Sequence, residues 1–110
     1  MRRHGGELPR THAEWLALPG VGPYTAGAVT SMAFSAHEAL VDGNVQRVFA
    51  RHFALEDAIG SRALAERCWA LARALVPGPG AALDPGDWNQ GLMELGACVC
   101  TARTPDCAAC

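Results

Sequence analysis

The run at residues 19–23, with sequence PGVGP, constrains the fold more than any other part of this chain. Proline and glycine interrupt helices, so a helix on either side of this run cannot continue through it. Before the run, Thr11 and Glu14 have the spacing of a capping box, which predicts a short helix. After it, Pro23 suits the first position of a second helix, whose alanine-rich body is predicted to reach about Phe34. The sequence therefore predicts two helices joined by a tight hairpin.

The remaining residues predict three more helices. One starts beside Asp42, one is capped by Ser61 and runs to about residue 75, and one begins at Asp84 with proline next and is expected to end at Gly96. Their apolar positions recur with helical spacing: Val45, Val48, Phe49 and Phe53 in the first, Leu64, Cys68 and Leu75 in the second, and Trp88, Leu92 and Leu95 in the third. Because strand alternation is not visible, the predicted fold class is all-α.

Length, charge and cysteine content limit the classes of protein to consider. A chain of 110 residues forms one small domain or part of one. A formal net charge of -2 disfavours broad nucleic-acid binding, so any DNA contact should be local. The apolar runs are too short for a membrane span or a secretory signal, which predicts the cytoplasm, here of a bacterium, and no membrane partner. Five cysteines in such a chain are expected to be metal ligands or buried thiols rather than disulfides.

The hairpin has the composition of an anion site. Glycines two apart let a ligand approach the backbone closely, and the first amides of the following helix point outward as donors with a favourable dipole. A DNA phosphate fits such a site, although the glycines can also serve only to reverse the chain between two packed helices. The candidate DNA contacts here are Leu18, Pro19, Gly20, Val21, Gly22 and Thr25.

The stretch at residues 18–26, LPGVGPYTA, resembles the helix-hairpin-helix of base-excision DNA glycosylases. The resemblance extends through residues 4–6 (HGG), 41–45 (VDGNV), 89–97 (NQGLMELGA) and the last cysteines, and it is strongest to the adenine DNA glycosylases of the MutY type. It implies a helix-hairpin-helix glycosylase fold, with residues 1–36 as an end of the six-helix barrel domain. Residues 37–110 would hold the catalytic-aspartate loop, helices and a truncated iron-sulfur module.

The same resemblance implies a DNA repair enzyme, an N-glycosyl hydrolase. It would act as a monomer on double-stranded DNA and remove adenine paired with 8-oxoguanine or guanine. Breaking that bond builds positive charge on the sugar, which a carboxylate can stabilise. Asp42 matches the family's catalytic aspartate, although an Asp before Gly-Asn is also a common turn and helix cap. Asn44 would orient Asp42 or the DNA backbone.

Tyr24 occupies the position at which endonuclease III-like enzymes of the superfamily carry a lysine nucleophile. This chain contains no lysine, so the resemblance implies a monofunctional enzyme that uses water. Tyr24 is then expected to pack under the nucleotide or hydrogen-bond near the reacting centre, or to be a half-buried core residue. The family's general-acid glutamate lies in a helix upstream of the hairpin, and none of Glu7, Glu14 and Glu38 corresponds to it. We therefore expect no adenine excision by this polypeptide alone.

The terminal cysteines match the first three ligands of the family's [4Fe-4S] cluster. Cys100 and Cys107 are separated by six residues, Cys107 and Cys110 by two, and the family's fourth ligand lies five residues further on. A zinc site formed by Cys98, Cys100, Cys107 and Cys110 is the alternative. Cys68 lies on an apolar helix face and is expected in the core.

Two arginines one helical turn apart, Arg47 and Arg51, follow Asp42. Either a DNA-backbone contact or a solvated surface position is consistent with this spacing, and we include Arg47 among the candidate DNA contacts. Two other functions remain open: an endonuclease III-like glycosylase for oxidised pyrimidines, and a non-catalytic DNA-binding module stapled by zinc.

Overall fold

The structure, a computed structural model, describes residues 8–110, so the motif at residues 4–6 lies outside the described part. Within it the chain forms helices and no strand, as predicted: α1 (His12–Leu16), α2 (Pro23–Phe34), α3 (Gly43–His52), α4 (Arg62–Leu75), α5 (Pro85–Glu94), a π-helical turn (Leu95–Val99) and a 3-10 turn (Cys107–Ala109). None of the helices in this range is long and apolar enough to cross a membrane. The division at residue 36 stays a prediction.

The helices begin where their capping residues predict. Thr11 and Glu14 form the capping box of α1, in which the Thr11 hydroxyl accepts from the Glu14 amide at 3.2 Å. The Ser61 hydroxyl accepts from the Leu64 amide at 3.2 Å and starts α4. Asp84 starts α5 by accepting from the Gly86 amide at 2.9 Å. A hydrogen bond from Ser35, together with the α5 amides, holds the pKa of Asp84 below its usual value.

The apolar core joins the segment before α3 to α3 and α4. It consists of Ala39, Leu40, Val41, Val45, Val48, Phe49, Leu64, Cys68, Ala72 and Val76. Cys68 has no exposed surface, which confirms the predicted core position. Burial is the larger cause, and the nearby Asp57 carboxylate the smaller, of a raised pKa of the Cys68 thiol. Phe53 is the C-cap of α3 and is 40% exposed, with its ring edge-on to the core residue Phe49 at 5.9 Å between centroids.

α2 packs against α5 and against the segment before α3 through small residues. Gly27 lies against the Ala39 carbonyl, and a β-carbon on Gly86 would stand 2.5 Å from the Ser31 carbonyl oxygen. Asn89 is 1% exposed, and its amide nitrogen donates to Ser31 Oγ at 3.0 Å and to the carbonyl oxygen of Glu38 at 2.9 Å. These contacts hold α5 on α2, and the two hydrogen bonds satisfy the buried side-chain amide nitrogen of Asn89.

Trp88, Leu92 and Leu95 are half-buried and pack against the apolar core, as their spacing predicts. The fully buried residues of α5 are Pro85, Gly86 and Asn89, of which the last two contact α2. One prediction about α5 is wrong. Gly96 does not end the helical path. The chain continues as the π-helical turn, which closes with a hydrogen bond of 2.7 Å from the Cys100 amide to the Leu95 carbonyl.

Replacing Gly27 by alanine tests the small-residue contact between α2 and the core segment. The new methyl group would meet the backbone carbonyl of Ala39, which cannot rotate away. We expect Gly27→Ala to lower the free energy of unfolding by about 1–3 kcal/mol, measured by urea denaturation. Gly91→Ala is the control, because it meets no atom within 4 Å and gains helix propensity. Equal stability of the two variants would contradict the packing.

Candidate functional site

The hairpin is a tight turn of the kind that its sequence demands. The Val21 amide donates to the Leu18 carbonyl at 3.3 Å, with Pro19 and Gly20 as the two central residues. Gly20 has a φ of 79°, the left-handed value that the third residue of a type II turn needs. Proline at the second position and glycine at the third therefore set the turn geometry locally, before any packing is considered.

The first turn of α2 leaves backbone donors exposed at the hairpin. Gly22 is the N-cap and contributes no side-chain cap, while Pro23 has no amide hydrogen. The first intrahelical bond in this turn runs from the Ala26 amide to the Gly22 carbonyl at 3.0 Å. The amides of Tyr24 and Thr25 therefore stand at the positive end of a 12-residue helix. This is a position that suits an anion.

Asp42 is half-buried at the N-terminus of α3. Its Oδ1 accepts from the Val45 amide at 2.8 Å, and its Oδ2 accepts from the Asn44 amide group at 3.4 Å. The carboxylate is thus the helix cap that an Asp-Gly-Asn sequence predicts. Capping uses Oδ1 and leaves Oδ2 with one long hydrogen bond from its neighbour, so the cap and a chemical role are compatible.

A chain of hydrogen bonds connects Asp42 to the backbone carbonyls of Gly96 and Cys100. Asn44 Oδ1 accepts from Arg47 Nη2 at 3.0 Å, and the same Nη2 donates to the Gly96 carbonyl at 2.6 Å. Arg47 Nε donates to the Cys100 carbonyl at 2.9 Å. These bonds occupy Nε and Nη2 of Arg47, so a DNA contact by this residue stays a prediction that would rely on Nη1.

Tyr24 and Asp42 lie against the same end of α5. The Tyr24 hydroxyl donates to Met93 Sδ at 3.5 Å, and Tyr24 is 39% exposed. Gly96, three residues after Met93, is so close to Asn44 that a β-carbon would stand 2.8 Å from Asn44 Cβ. Tyr24, through Met93, and Asp42, through Asn44, therefore both border residues 93–96 at the end of α5. Tyr24 is neither fully buried nor free.

Three of the four terminal cysteines line one cavity of about 300 Å³. These are Cys100, Cys107 and Cys110, while Cys98 is not part of the lining. Cys98 is exposed, as are Cys107 and Cys110. Within residues 8–110, no three His, Cys, Asp or Glu side chains are grouped closely enough to hold a single metal ion. A cluster of four irons separates its ligands more widely than one ion does. The three thiols and the largely apolar wall of this cavity fit such a cluster better than a four-cysteine zinc site.

The sequence did not predict the contacts that Arg51 makes with the backbone after Cys100. The spacing left it as a surface or DNA-contacting arginine, but it donates to the Thr101 carbonyl at 2.7 Å and to the Ala102 carbonyl at 2.9 Å. Asn89 was also not singled out as a structural residue, although an amide within an apolar helix is a signal that could have identified it. The larger apolar cavity, about 530 Å³ between α3 and α5, contains none of the predicted site residues.

Comparison with known proteins agrees with this geometry. A family model described as "Helix-hairpin-helix motif" matches residues 3–31. The Adenine DNA glycosylase of Schizosaccharomyces pombe is 46% identical over 97% of this chain, and that of Homo sapiens is 48% identical over 96%. A solved thermostable thymine-DNA glycosylase is 39% identical and superimposes on 99% of the chain with a TM-score of 0.80.

The motif, the alignments and the superposition show that the chain is similar to a segment of DNA glycosylases and shares their all-helical fold. The Thymine/uracil-DNA glycosylase of Methanothermobacter thermautotrophicus is 41% identical, which is less than the two Adenine DNA glycosylases above and more than that of Buchnera aphidicola at 28%. The chain spans 23% of the Schizosaccharomyces pombe relative, 19% of the human one and 48% of the solved chain. Because the relatives include eukaryotic proteins, the bacterial source stays a prediction.

Proposed function

We propose that this chain is the part of a base-excision glycosylase that holds the DNA backbone and stabilises the sugar cation while adenine is removed. The observation that carries this proposal is that Tyr24, through Met93, and Asp42, through Asn44 and Gly96, border the same short segment at the end of α5, with the first amides of α2 next to Tyr24. The names of the relatives at 46% and 48% identity support adenine as the base. Duplex DNA with adenine opposite 8-oxoguanine or guanine is the proposed substrate, bound by a monomer.

The hairpin would hold one phosphate of the DNA. The amides of Tyr24 and Thr25 would donate to its oxygens, and the α2 dipole would favour the negative charge. Gly20 and Gly22 have open space where a β-carbon would stand, so the backbone can come close to the nucleic acid. A grip on the backbone beside the target suits an enzyme class that must extrude a nucleotide before it acts.

Asp42 would face the sugar as the glycosidic bond breaks. Positive charge develops on the sugar at that stage, and a half-buried carboxylate stabilises it more strongly than solvent does. Asn44 would keep Oδ2 in place, and Tyr24 would lie under the extruded nucleotide. Because no lysine is present, an amine nucleophile is not available, and water completes the reaction. This disfavours the endonuclease III-like alternative.

The general acid for the departing adenine would come from outside these 110 residues. Glu14 belongs to the capping box of α1, and Glu38 follows the hairpin and α2 rather than preceding them, so neither lies in a helix upstream of the hairpin. We therefore expect this chain alone to bind DNA without excising adenine. Activity is a property that we assign to the longer enzyme.

A [4Fe-4S] cluster is the cofactor that best suits the cysteine cavity. Cys100, Cys107 and Cys110 would be its ligands, with a fourth thiolate from outside this chain. When bound, the cluster would staple the tail to α3 and supply a one-electron redox centre. The zinc alternative needs Cys98, which is exposed and outside the cavity lining.

Placing a carboxylate at the hairpin tests the proposed phosphate site. Aspartate is a better N-cap than glycine, so Gly22→Asp is expected to keep or raise the melting temperature. The same carboxylate would occupy the amides and repel phosphate, so we expect DNA affinity to fall about 10-fold or more in fluorescence anisotropy at low salt. The exposed Gln90→Glu variant matches the charge change and should retain affinity. Equal weakening by both variants would mean that only net charge matters.

Transfer of the segment into a longer enzyme tests the role of Asp42. We would replace the matching segment of the Schizosaccharomyces pombe Adenine DNA glycosylase by this chain and measure excision from a duplex with adenine opposite 8-oxoguanine. The chimera should excise adenine, and Asp42→Asn should slow single-turnover excision by about 100-fold or more. The Asp57→Asn chimera is the control, because Asp57 pairs with Arg67 at 2.9 Å away from the site. A folded but inactive chimera would contradict the adenine assignment.

Anaerobic reconstitution with ferrous iron and sulfide tests the cofactor. A small thiol in the buffer can serve as the fourth ligand. We expect a brown protein whose colour survives Cys98→Ser and is lost in Cys107→Ser, because only the second variant removes a thiol that lines the cavity. Loss of metal binding in both variants, with zinc rather than iron retained by the wild type, would support the zinc site instead.

A further inference from the structure

The side chain of Arg51 holds the backbone that directly follows Cys100. Its Nη1 donates to the Thr101 carbonyl at 2.7 Å, and its Nη2 donates to the Ala102 carbonyl at 2.9 Å. The two nitrogens of one planar guanidinium thus bind two consecutive carbonyls. A lysine has no such pair of donors in a fixed plane and could satisfy only one of them at a time. Arg51 is therefore placed to fix the loop in a single conformation.

The same guanidinium also reaches the thiol of Cys100. Nη1 lies 3.4 Å from Cys100 Sγ, within hydrogen-bonding distance of a sulfur acceptor, and 3.5 Å from the Cys100 carbonyl oxygen. Arg51 lines the cysteine cavity together with His52, Asp106 and apolar side chains. Among the residues that the structure describes, Arg51 is the arginine that lines this cavity, and Asp106 is the carboxylate that lines it.

We propose that Arg51 is a positioning residue for the iron-sulfur cluster and raises its reduction potential. This inference rests on the cofactor proposed above. A hydrogen bond to a ligand sulfur and a nearby positive charge both favour the more negative, reduced state of a cluster, so both raise the potential. The bonds to Thr101 and Ala102 hold the donor in place, so that Arg51 acts through the position of Cys100.

The partial exposure of Arg51 gives the proposal a second signature. An exposed charge is screened by salt, whereas a hydrogen bond to sulfur is not. The midpoint potential of the wild-type cluster should therefore fall as the salt concentration is raised. At high salt, part of the difference in potential between the wild type and an uncharged variant at Arg51 should remain. A purely structural role for Arg51 predicts neither effect.

The experiment compares Arg51→Gln and Arg51→Lys with the wild type after anaerobic reconstitution of the full 110-residue chain with ferrous iron, sulfide and a small thiol. Midpoint potentials are measured by protein-film voltammetry, and cluster loss is followed as bleaching in the presence of a chelator. We expect the potential to fall in Arg51→Gln and to fall less in Arg51→Lys, which keeps the charge but not the paired donors. Bleaching of Arg51→Gln should be faster by about 10-fold.

Arg62→Gln is the matched control, because the Arg62 side chain is 93% exposed and pairs only with Glu66 one turn away in α4. It should leave both the potential and the bleaching rate unchanged. Arg51→Gln could fold, as judged by an unchanged circular dichroism spectrum, and still take up no cluster. In that case, a loaded Arg51→Lys variant with a midpoint potential below that of the wild type supports the proposal. Equal potentials in wild type, Arg51→Gln and Arg62→Gln would overturn it while leaving the cofactor intact. A wild type that takes up no cluster would overturn the cofactor and this inference together.

Discussion

The arrangement of this protein depends on the close contact between the start of α3 and the turn that follows α5. Gly96 has no side chain where Asn44 approaches, and Arg47 bridges the two segments through the carbonyls of Gly96 and Cys100. Arg47 is a charged donor shared among three oxygen acceptors, and hydrogen bonds from a charged donor are stronger than neutral ones. Asp42 lies at one side of this contact and Cys100 lies at the other.

The chemistry assigned to the chain follows from that contact. Asp42 caps α3, so its position is set by the helix that carries Asn44 and Arg47. Tyr24 reaches the same end of α5 through Met93, because α2 is held on α5 by small residues and by the buried Asn89 amide. The N-terminal end of α2, the carboxylate and the cysteine cavity are therefore parts of one packed unit. Displacement of α5 would disturb all three.

The local features of the fold could be predicted from the sequence because they depend on neighbouring residues. The Thr11 capping box, the turn around Gly20 and the start of α5 at Asp84 each involve residues within a few positions of one another. The contact between α5 and α2 is not a local feature and was not predicted. The apolar positions of α5 pack on the core, while α5 presents Asn89 to α2, where Ser31 and the Glu38 carbonyl supply the partners that make a buried amide favourable.

The sequence by itself determined the order and ends of the helices, the hairpin and the set of residues with chemical capacity, since these depend on local backbone preferences and on residue type. Only the tertiary structure decided which of them meet. It placed Arg47 and Arg51 on the carbonyls of the cysteine segment rather than on open surface, and it put Cys98 outside the cavity of the other three thiols. The physical reason is that these contacts join residues about fifty positions apart, and the packing of α3 against the end of α5 sets their distances.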